Sequence, residues 1–595
     1  MTMTVTKKTQ SKKYLALMIG AIIAGTAGMA QASTERVSVT TGHKQSGHDS
    51  TADTDLLPDN LPTRAKSTNP DISADSRFVV FESRANNLAG NKADGSLKDT
   101  NNTAAGFNNT DIFVHDRRLH TTERVNVNSS GAQSVGPASD PSISEDGRYI
   151  AFVSAATDLV IGDTGAFTDI FVHDRQTGET RRVSVTASGA QANGNSTEPF
   201  ISNNGRYVSF TSEASNLLGN KPGVTPAEPV DNNGVADIYR VDLQSQSPTD
   251  YIKRISFGRN NDDGTPDEAN GASGHSSMST NGQLIAFHSD ATNLLGYERK
   301  DDGTLDTSKP LDKNGKTDVF WVDINAYSTH LASVDSAYIQ GDDDSTNPVI
   351  SSDGKYIAFQ SDASNLVKGD NNGVTDIFRH ETRIDQNVFG GDTIRVSVNS
   401  NPTVNQADAA STNPDINGNG DIVVFESVAT NLVSDDTNGF RDIFSRKVST
   451  GETKRLSVDN DNNSKKNESN LPSSAPSIAS YGTAVAFESD ATNLLLNELE
   501  DKPGKLQPED TDTTISNKDT NKSTDIFVSF INRKPDFYIA NQTVCKNAGI
   551  QDAHIIQNVS DGDYLGVNQS IAYTTVSNSN PDLFGGLLGA GGEPF

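Results

Sequence analysis

Short acidic loops are the part of this sequence whose residue types and spacing could do chemistry. A motif of Asp, then Asn and Gly, then a second Asp six residues after the first occurs four times. Alternating oxygen ligands, a glycine for a sharp turn and a closing acid suit a hard cation. The motif therefore predicts weak calcium sites with the ligands Asp231, Asn233, Asp237, Asp312, Asn314, Asp318, Asp370, Asn372, Asp376, Asp436, Asn438 and Asp442. An alternative stays open, in which these residues only form Asx turns and the final Asp bonds backbone or a neighbouring Arg.

Catalytic motifs are not found in the sequence. It contains neither the G-x-S-x-G nucleophile elbow nor the H-E-x-x-H zinc helix. Three histidines, His115, His173 and His380, stand at equivalent repeat positions, each followed by an acid. Because equivalent positions lie on separate repeats, we interpret them as local polar groups rather than as shared metal ligands. We predict no catalytic residue and no cofactor other than calcium.

These loops belong to a repeat that occurs seven times. Each copy has a Phe followed two residues later by Ser, and then by Ala and Leu at fixed offsets. The Phe residues are Phe81, Phe152, Phe210, Phe287, Phe359, Phe425 and Phe487. The third strand of each copy begins with an Asp that is followed by Ile or Val and then by an aromatic residue. These are Asp111, Asp169, Asp237, Asp318, Asp376, Asp442 and Asp525. Four short strands with two apolar faces cannot form a core alone, so neighbouring copies must stack.

Radial stacking predicts an all-β fold, a seven-bladed β-propeller of four-stranded antiparallel blades. The repeats start near residues 69, 140, 198, 276, 347, 413 and 475, within a propeller of residues 33–534. A fourth strand such as Arg182-Val183-Ser184-Val185 follows the third in six repeats, whereas the seventh lacks one. The surplus segment Arg36-Val37-Ser38-Val39 therefore predicts that residues 33–40 close the last blade and remove an open sheet edge.

The repeat resembles a known family. Pro141-Ser142-Ile143-Ser144, the turn Asp146-Gly147-Arg148 and the strand Asp169-Ile170-Phe171-Val172 are similar to the repeat of TolB-type, WD-like propellers of bacterial exported proteins. The resemblance implies the fold and leaves the function open, because such blades serve many tasks. Residues 535–595 resemble the opening strands of a bacterial Ig-like or cadherin-like module, either as a fragment or as an appendix on the propeller.

The N-terminus and the composition predict export. Residues 1–32 combine four early lysines, an apolar small-residue stretch and Ala30-Gln31-Ala32, which is typical of a cleaved signal peptide. We therefore expect a periplasmic or extracellular protein with no membrane span after cleavage. The formal net charge of −29 argues against nucleic acid as a partner. A single cysteine, Cys545, excludes an intrachain disulfide.

Two functions remain open from the sequence. The connections between second and third strands vary in length, and together with those between blades they define one side of the disc, called here the long-loop face. Long variable loops on one face favour binding. The first hypothesis is a monomeric, non-enzymatic scaffold that binds a protein or glycan ligand there. The alternative is a propeller enzyme, a polysaccharide lyase or hydrolase acting from the axial pocket.

Overall fold

The computed structural model describes most of the repeat region. The described residues are 34–40, 66–89, 109–165, 167–218, 231–245, 247–259, 267–300, 305–382, 391–401, 406–458, 468–495 and 523–531. The predicted signal peptide and the predicted module at 535–595 lie outside these residues. Within them, no helix is long and apolar enough to cross a membrane.

Seven antiparallel four-stranded sheets form the ring, so the predicted seven-bladed propeller is confirmed. Blades 1 to 3 comprise β2 (Ser67–Ile72), β3 (Phe78–Ser83), β4 (Asp111–Asp116) and β5 (Thr121–Arg124); β6 (Ala138–Ile143), β7 (Tyr149–Ser154), β8 (Asp169–Asp174) and β9 (Glu179–Arg182); and β10 (Ser196–Ile201), β11 (Tyr207–Ser212), β12 (Asp237–Asp242) and β13 (Ile252–Arg254). Blades 4 and 5 comprise β16 (Ser273–Met278), β17 (Leu284–Ser289), β20 (Asp318–Asp323) and β21 (Ser328–Leu331); and β22 (Ser345–Ile350), β23 (Tyr356–Ser361), β24 (Asp376–Glu381) and β25 (Thr393–Arg395). Blades 6 and 7 comprise β26 (Ser411–Ile416), β27 (Ile422–Ser427), β28 (Asp442–Lys447) and β29 (Glu452–Arg455); and β30 (Ser473–Ile478), β31 (Ala484–Ser489), β32 (Asp525–Phe530) and β1 (Thr34–Arg36).

Small elements decorate the blades. The four-residue helix α1 (Pro248–Tyr251) precedes the last strand of blade 3. Two short hairpins lie between blades 3 and 4 and within blade 4, formed by β14 (Phe257–Gly258) with β15 (Asp267–Glu268) and by β18 (Tyr297–Arg299) with β19 (Leu305–Pro310).

The N-terminal strand closes blade 7, as predicted. β1 pairs antiparallel with β32, with Thr34 opposite Ser529 and Arg36 opposite Phe527. The pairing extends beyond the strand, since Val37 donates its N–H to the Ile526 carbonyl at 2.9 Å. One detail of the sequence interpretation was wrong. The sequence predicted fourth strands that begin at an Arg. In the structure these strands start two or three residues earlier and end at that Arg, as in Thr121–Arg124.

The core lies between neighbouring blades. Each second-strand Phe stacks on the aromatic residue of its third strand, as Phe152 does on Phe171 with centroids 5.8 Å apart. Buried clusters then combine two blades, so that Val80 and Ile112 of blade 1 pack with Ile143 and Phe152 of blade 2. This is the stacking that the two apolar faces of each repeat required.

The Ser that follows each repeat Phe has a local structural role. Ser83 forms a hydrogen bond with Ser67 across the first strand pair at 2.9 Å and accepts the Ala85 N–H at 3.1 Å. The same Ser to Ala contact recurs in every blade, which accounts for the fixed Phe, Ser and Ala spacing.

Candidate functional site

The four predicted calcium loops place their closing Asp residues deep in the blades. Asp237, Asp318, Asp376 and Asp442 are fully buried at the start of the third strands. Each accepts a hydrogen bond from a serine two residues after the end of the fourth strand: Ser256 at 2.6 Å, Ser333, Ser397 and Ser457 at 2.5 Å. The closing carboxylate thus connects the third strand to the segment that follows the fourth.

An arginine lies beside both carboxylates in three of these loops. Arg395 Nη1 lies 2.9 Å from Asp370 and 3.3 Å from Asp376. Arg455 relates similarly to Asp436 and Asp442, and Arg254 to Asp231 and Asp237. In the fourth loop the Gln340 amide contacts Asp312 and Asp318 at 2.6 and 2.8 Å. These contacts match the ion-paired alternative that the sequence left open.

The Asn residues of the loops make Asx turns. Asn233, Asn314, Asn372 and Asn438 each accept the backbone N–H two residues later through Oδ1, at 2.8 to 3.4 Å. Among the residues that the structure describes, no group of three or more His, Cys, Asp or Glu side chains is arranged to hold a metal ion. Calcium binding by these loops stays a prediction.

The three equivalent histidines are local polar groups. The Nδ1 atoms of His115, His173 and His380 each lie 2.9 Å from a threonine hydroxyl of the adjacent fourth strand: Thr122, Thr180 and Thr393. All three histidines are buried on separate blades. Each histidine thus hydrogen-bonds within its own blade.

The ring axis is the second place where polar side chains from several blades converge. The first strands line a cavity of about 70 Å³ whose wall includes Asp71, Phe200, Val349 and Asp415. In five blades the residue before the last position of the first strand is polar and hydrogen-bonds to the next blade, whereas Phe200 and Val349 occupy it in the other two. Asp71, for example, accepts the Ile143 N–H at 2.9 Å, and Asp415 accepts that of Ile478 at 2.7 Å. Hydrogen bonds between neighbouring first strands therefore surround the axis, and this set of contacts is called here the belt.

Two carboxylates of this belt have raised pKa values. Burial raises the pKa of Asp415 to about 7, and the neighbouring Asp71 carboxylate adds to the rise. Burial also raises the pKa of Asp71, which accepts a hydrogen bond from Ser477 at 2.9 Å. The part of each side chain that remains accessible faces the narrow cavity, so water solvates these carboxylates poorly.

The axis is bridged at the face opposite the long loops. Asn203 donates to Ser352 at 2.8 Å, and Ser352 forms a hydrogen bond with Ser480, also at 2.8 Å. These residues belong to the first turns of blades 3, 5 and 7, which are not neighbours, so the bonds cross the axis. Asn203, Ser352 and Ser480 also belong to the cavity wall, so these bonds lie at the first-turn end of the cavity.

A ring of left-handed residues surrounds the axis on the long-loop face. The third residue of every first strand has a positive φ between 48° and 54°: Asn69, Asp140, Glu198, His275, Asn347, Asn413 and Ala475. The strand register shifts at this point in each blade, which marks a β-bulge. Positive φ is unfavourable for residues such as Glu and Ala, so the fold imposes this conformation seven times.

At four of these bulges, a side chain of the preceding blade accepts the backbone N–H of the left-handed residue. Glu82 accepts the Asp140 N–H at 2.8 Å, Glu426 that of Ala475 at 3.0 Å, and Glu488 that of Asn69 at 3.3 Å. Gln360 accepts the Asn413 N–H at 3.0 Å in the same way. All four acceptors occupy the second-strand position between the repeat Phe and Ser.

Four carboxylates on blades 7, 1, 2 and 3 form a continuous group, called here the acidic arc: Glu488, Glu82, Asp140 and Glu198. Burial raises the pKa of Glu82, and the charges of Asp140 and Glu488 raise it further. Burial raises the pKa of Asp140 too, with a contribution from Glu198. At the end of the arc, the hydrogen bond from His275 lowers the pKa of Glu198 to about 2. Each member is thus close enough to affect the next.

The sequence interpretation missed the acidic arc. It singled out the invariant Phe and Ser of the second strand and passed over the variable residue between them, which is Glu82, Val153, Thr211, His288, Gln360, Glu426 and Glu488 in the seven copies. It also passed over the residue before the first-strand proline. A position that varies between invariant neighbours on a strand near the axis was the available signal.

Comparison with known proteins agrees at the level of fold. TolB from Acinetobacter baumannii is 17% identical, with a TM-score of 0.30, over 60% of this chain and 61% of that one. The chain therefore spans about three fifths of the length of that TolB protein. Oligogalacturonate lyase from Vibrio parahaemolyticus is 10% identical, with a TM-score of 0.41, over 84% and 97% of the two chains. Pyrococcus horikoshii acylaminoacyl peptidase is 12% identical, with a TM-score of 0.35, over 72% and 50%.

The fold has TolB-like propeller architecture. The predicted resemblance to TolB-type propellers is confirmed in this sense. No protein-family model matches the sequence, and no curated protein matches it. At these identities the likenesses concern the fold alone.

Proposed function

We propose that this protein is an exported, non-enzymatic scaffold that binds a basic segment of a partner protein at the acidic arc, on the long-loop side of the propeller. The observation that supports the proposal is the acidic arc. Glu82 and Glu488 lie one residue before the ends of their second strands, next to the long loops. The charged groups that shift the pKa values of Glu82, Asp140 and Glu198 are other members of the arc together with His275. A Lys or Arg side chain would complement this field.

Electrostatics also separates the proposed ligand from acidic polymers. A polyuronate brings carboxylates of its own, which the arc and the net charge of −29 would repel. A peptide rich in lysine and arginine carries positive charge and is attracted both by the net negative charge of the protein and by the acidic arc. Neutral glycans lie between these extremes, so the sign of a ligand's charge should rank its affinity.

One observation favours the enzyme hypothesis as a second candidate. Asp71 and Asp415 line the axial cavity, and Asp415, with a pKa of about 7, would be about half protonated at neutral pH, as suits a general acid. A hydrolase would need such a group beside a scissile bond. Both carboxylates, however, already accept backbone N–H groups of the belt.

Two measurements on the purified full chain separate these functions. Binding is measured against an oligolysine peptide, a neutral glucan and polygalacturonate, while turnover is measured on polysaccharides and aryl glycosides. The scaffold proposal expects affinity in the order peptide, glucan, polygalacturonate and no turnover. Turnover that disappears in Asp415→Asn would replace the proposal with the hydrolase. Preference for the glucan would make the partner a glycan.

A further inference from the structure

Blade 4 lacks the arginine that the other six blades place beside the third-strand Asp. The six pairs, with Nη to Oδ distances of 3.2 to 3.7 Å, are Arg36 and Asp525, Arg124 and Asp111, Arg182 and Asp169, Arg254 and Asp237, Arg395 and Asp376, and Arg455 and Asp442. In blade 4 the same register position, opposite Phe320, is Leu331. This buried leucine cannot neutralise a carboxylate.

The two carboxylates of this blade are nevertheless kept. Asp312 and Asp318 are 1% and 0% exposed. Ser333 donates to Asp318 at 2.5 Å, and the Gln340 amide donates to both acids. Asp312 Oδ2 is buried, and among the described residues it has no hydrogen-bond partner. Blade 4 therefore contains two buried acids held by neutral donors.

In the part of blade 4 that the structure describes, neither a lysine nor a tyrosine hydroxyl takes the place of the missing arginine. Lys313 pairs with Glu298 at 2.7 Å and Lys316 with Asp343 at 2.6 Å, on the surface. In blade 3 the hydroxyl of Tyr239 donates to Asp231, the counterpart of Asp312. Blade 4 has Phe320 at the position of that tyrosine.

Blade 2 is the matched comparison. Its Gln191 amide lies 3.3 Å from both Asp163 and Asp169, as Gln340 contacts both acids of blade 4. There, however, Arg182 Nη1 lies 3.2 Å from each acid. The two blades thus share the carboxylates and the glutamine, and they differ in the arginine.

We propose that blade 4 binds one calcium ion between Asp312 and Asp318, in place of the missing guanidinium, and that the three other predicted loops do not bind calcium because an arginine lies there. Two buried anions without a counter-ion are costly, and a hard cation with oxygen ligands relieves that cost. Asp312 Oδ2, which is buried and has no hydrogen-bond partner among the described residues, would supply one ligand, and a carboxylate oxygen of Asp318 would supply another. Water completes the coordination.

Reciprocal substitutions test this assignment in the full chain. Calcium is titrated in about 150 mM KCl, which screens diffuse binding to the acidic surface, and thermal unfolding is followed with calcium or with chelator. For wild type we expect one calcium per chain with a Kd of roughly 10⁻⁴ to 10⁻³ M and a rise in Tm of about 1 to 2 °C at saturating millimolar calcium. Leu331→Arg should remove both effects and raise the Tm in chelator. Arg182→Leu should add a second calcium-dependent site.

Two further variants control for misfolding. Asp312→Asn should lose calcium binding while keeping its Tm in chelator, and Asp370→Asn, in an arginine-filled loop, should keep the calcium effect. If wild type shows neither calcium binding nor a calcium-dependent rise in Tm, the proposal is wrong. One of the two acids would then be neutralised by a proton instead. A calcium response that survives both Leu331→Arg and Asp312→Asn would place the ion elsewhere. These outcomes are independent of peptide binding at the acidic arc.

Discussion

Ser38 donates a hydrogen bond of 2.5 Å to Asp525 across 487 residues of sequence. It repeats in blade 7 the contact that Ser184 makes with Asp169 inside blade 2. Ser38 also accepts the Ile526 N–H at 3.1 Å. The N-terminal segment therefore replaces the missing fourth strand in its side-chain chemistry as well as in its backbone pairing.

Loss of this contact should weaken the ring. Ser38→Ala removes the hydroxyl that donates to the buried Asp525 and accepts the Ile526 N–H, so we expect the free energy of unfolding to fall by about 1 to 3 kcal/mol. Ser184→Ala is the matched control and should cost a similar amount. Urea denaturation of both variants checks this. A measurable loss for Ser184→Ala with none for Ser38→Ala would contradict closure by the N-terminal strand.

The buried arginines should matter more than surface ones. Arg395→Leu leaves Asp370 and Asp376 without their cation, and breaking such a buried pair typically costs about 3 to 5 kcal/mol. Arg441→Leu is the control, since Arg441 is half exposed and lies 3.6 Å from Glu426; its expected cost is below about 1 kcal/mol. Equal effects of the two substitutions on the free energy of unfolding would show that the arginine position is not structurally important.

Stability should fall as the pH rises from about 4 to about 7. The folded-state pKa of Asp415 is raised from 3.8 to about 7, so in this window the folded protein holds a proton that the unfolded chain has lost. Asp415→Asn cannot titrate and should flatten this part of the curve. Thermal unfolding at pH 5, 6, 7 and 8 measures the difference. Parallel curves for wild type and variant would mean that Asp415 ionises normally.

The left-handed bulge of blade 7 offers a stabilising substitution. Ala475 has a φ of 50°, which glycine adopts without steric cost. Ala475→Gly should therefore raise the free energy of unfolding by about 0.5 to 1 kcal/mol. Ala479→Gly is the control, because Ala479 lies in the following turn outside the left-handed region, and it should destabilise. If Ala475→Gly destabilises as much as the control does, the bulge is unstrained.

The repeat made the fold predictable, whereas the site depended on contacts between blades. Seven copies of Phe, Ser, Ala and Asp gave the blade count, and the surplus Arg36 to Val39 segment gave the closing strand. The role of Asp231 or Asp370 could not be inferred from the loop alone, because the arginine that pairs with each lies 23 or 25 residues later in the chain. The acidic arc combines residues of four blades, such as Glu488 and Glu82, which only ring geometry brings together.

Leu331 shows how a weak repeat can be informative. The fourth strand of blade 4 already departs from the Arg-containing pattern in the sequence. Without the register that pairs Leu331 with Phe320, however, the lost arginine could not be linked to Asp312 and Asp318. The structure connects the departure to two buried carboxylates.

Binding of a basic peptide at the acidic arc tests the proposed function most directly. The measurement compares the Kd of an oligolysine peptide for wild type and for a triple variant, Asp140→Asn, Glu198→Gln and Glu488→Gln, at low and physiological salt. Each replacement retains a hydrogen-bond acceptor. The matched control, Glu452→Gln, removes an exposed charge on the last strand of blade 6. We predict at least tenfold weaker binding for the triple variant, a reduced salt dependence and no change for the control. Equal affinity of wild type and triple variant would contradict the assignment of the acidic arc as the binding site.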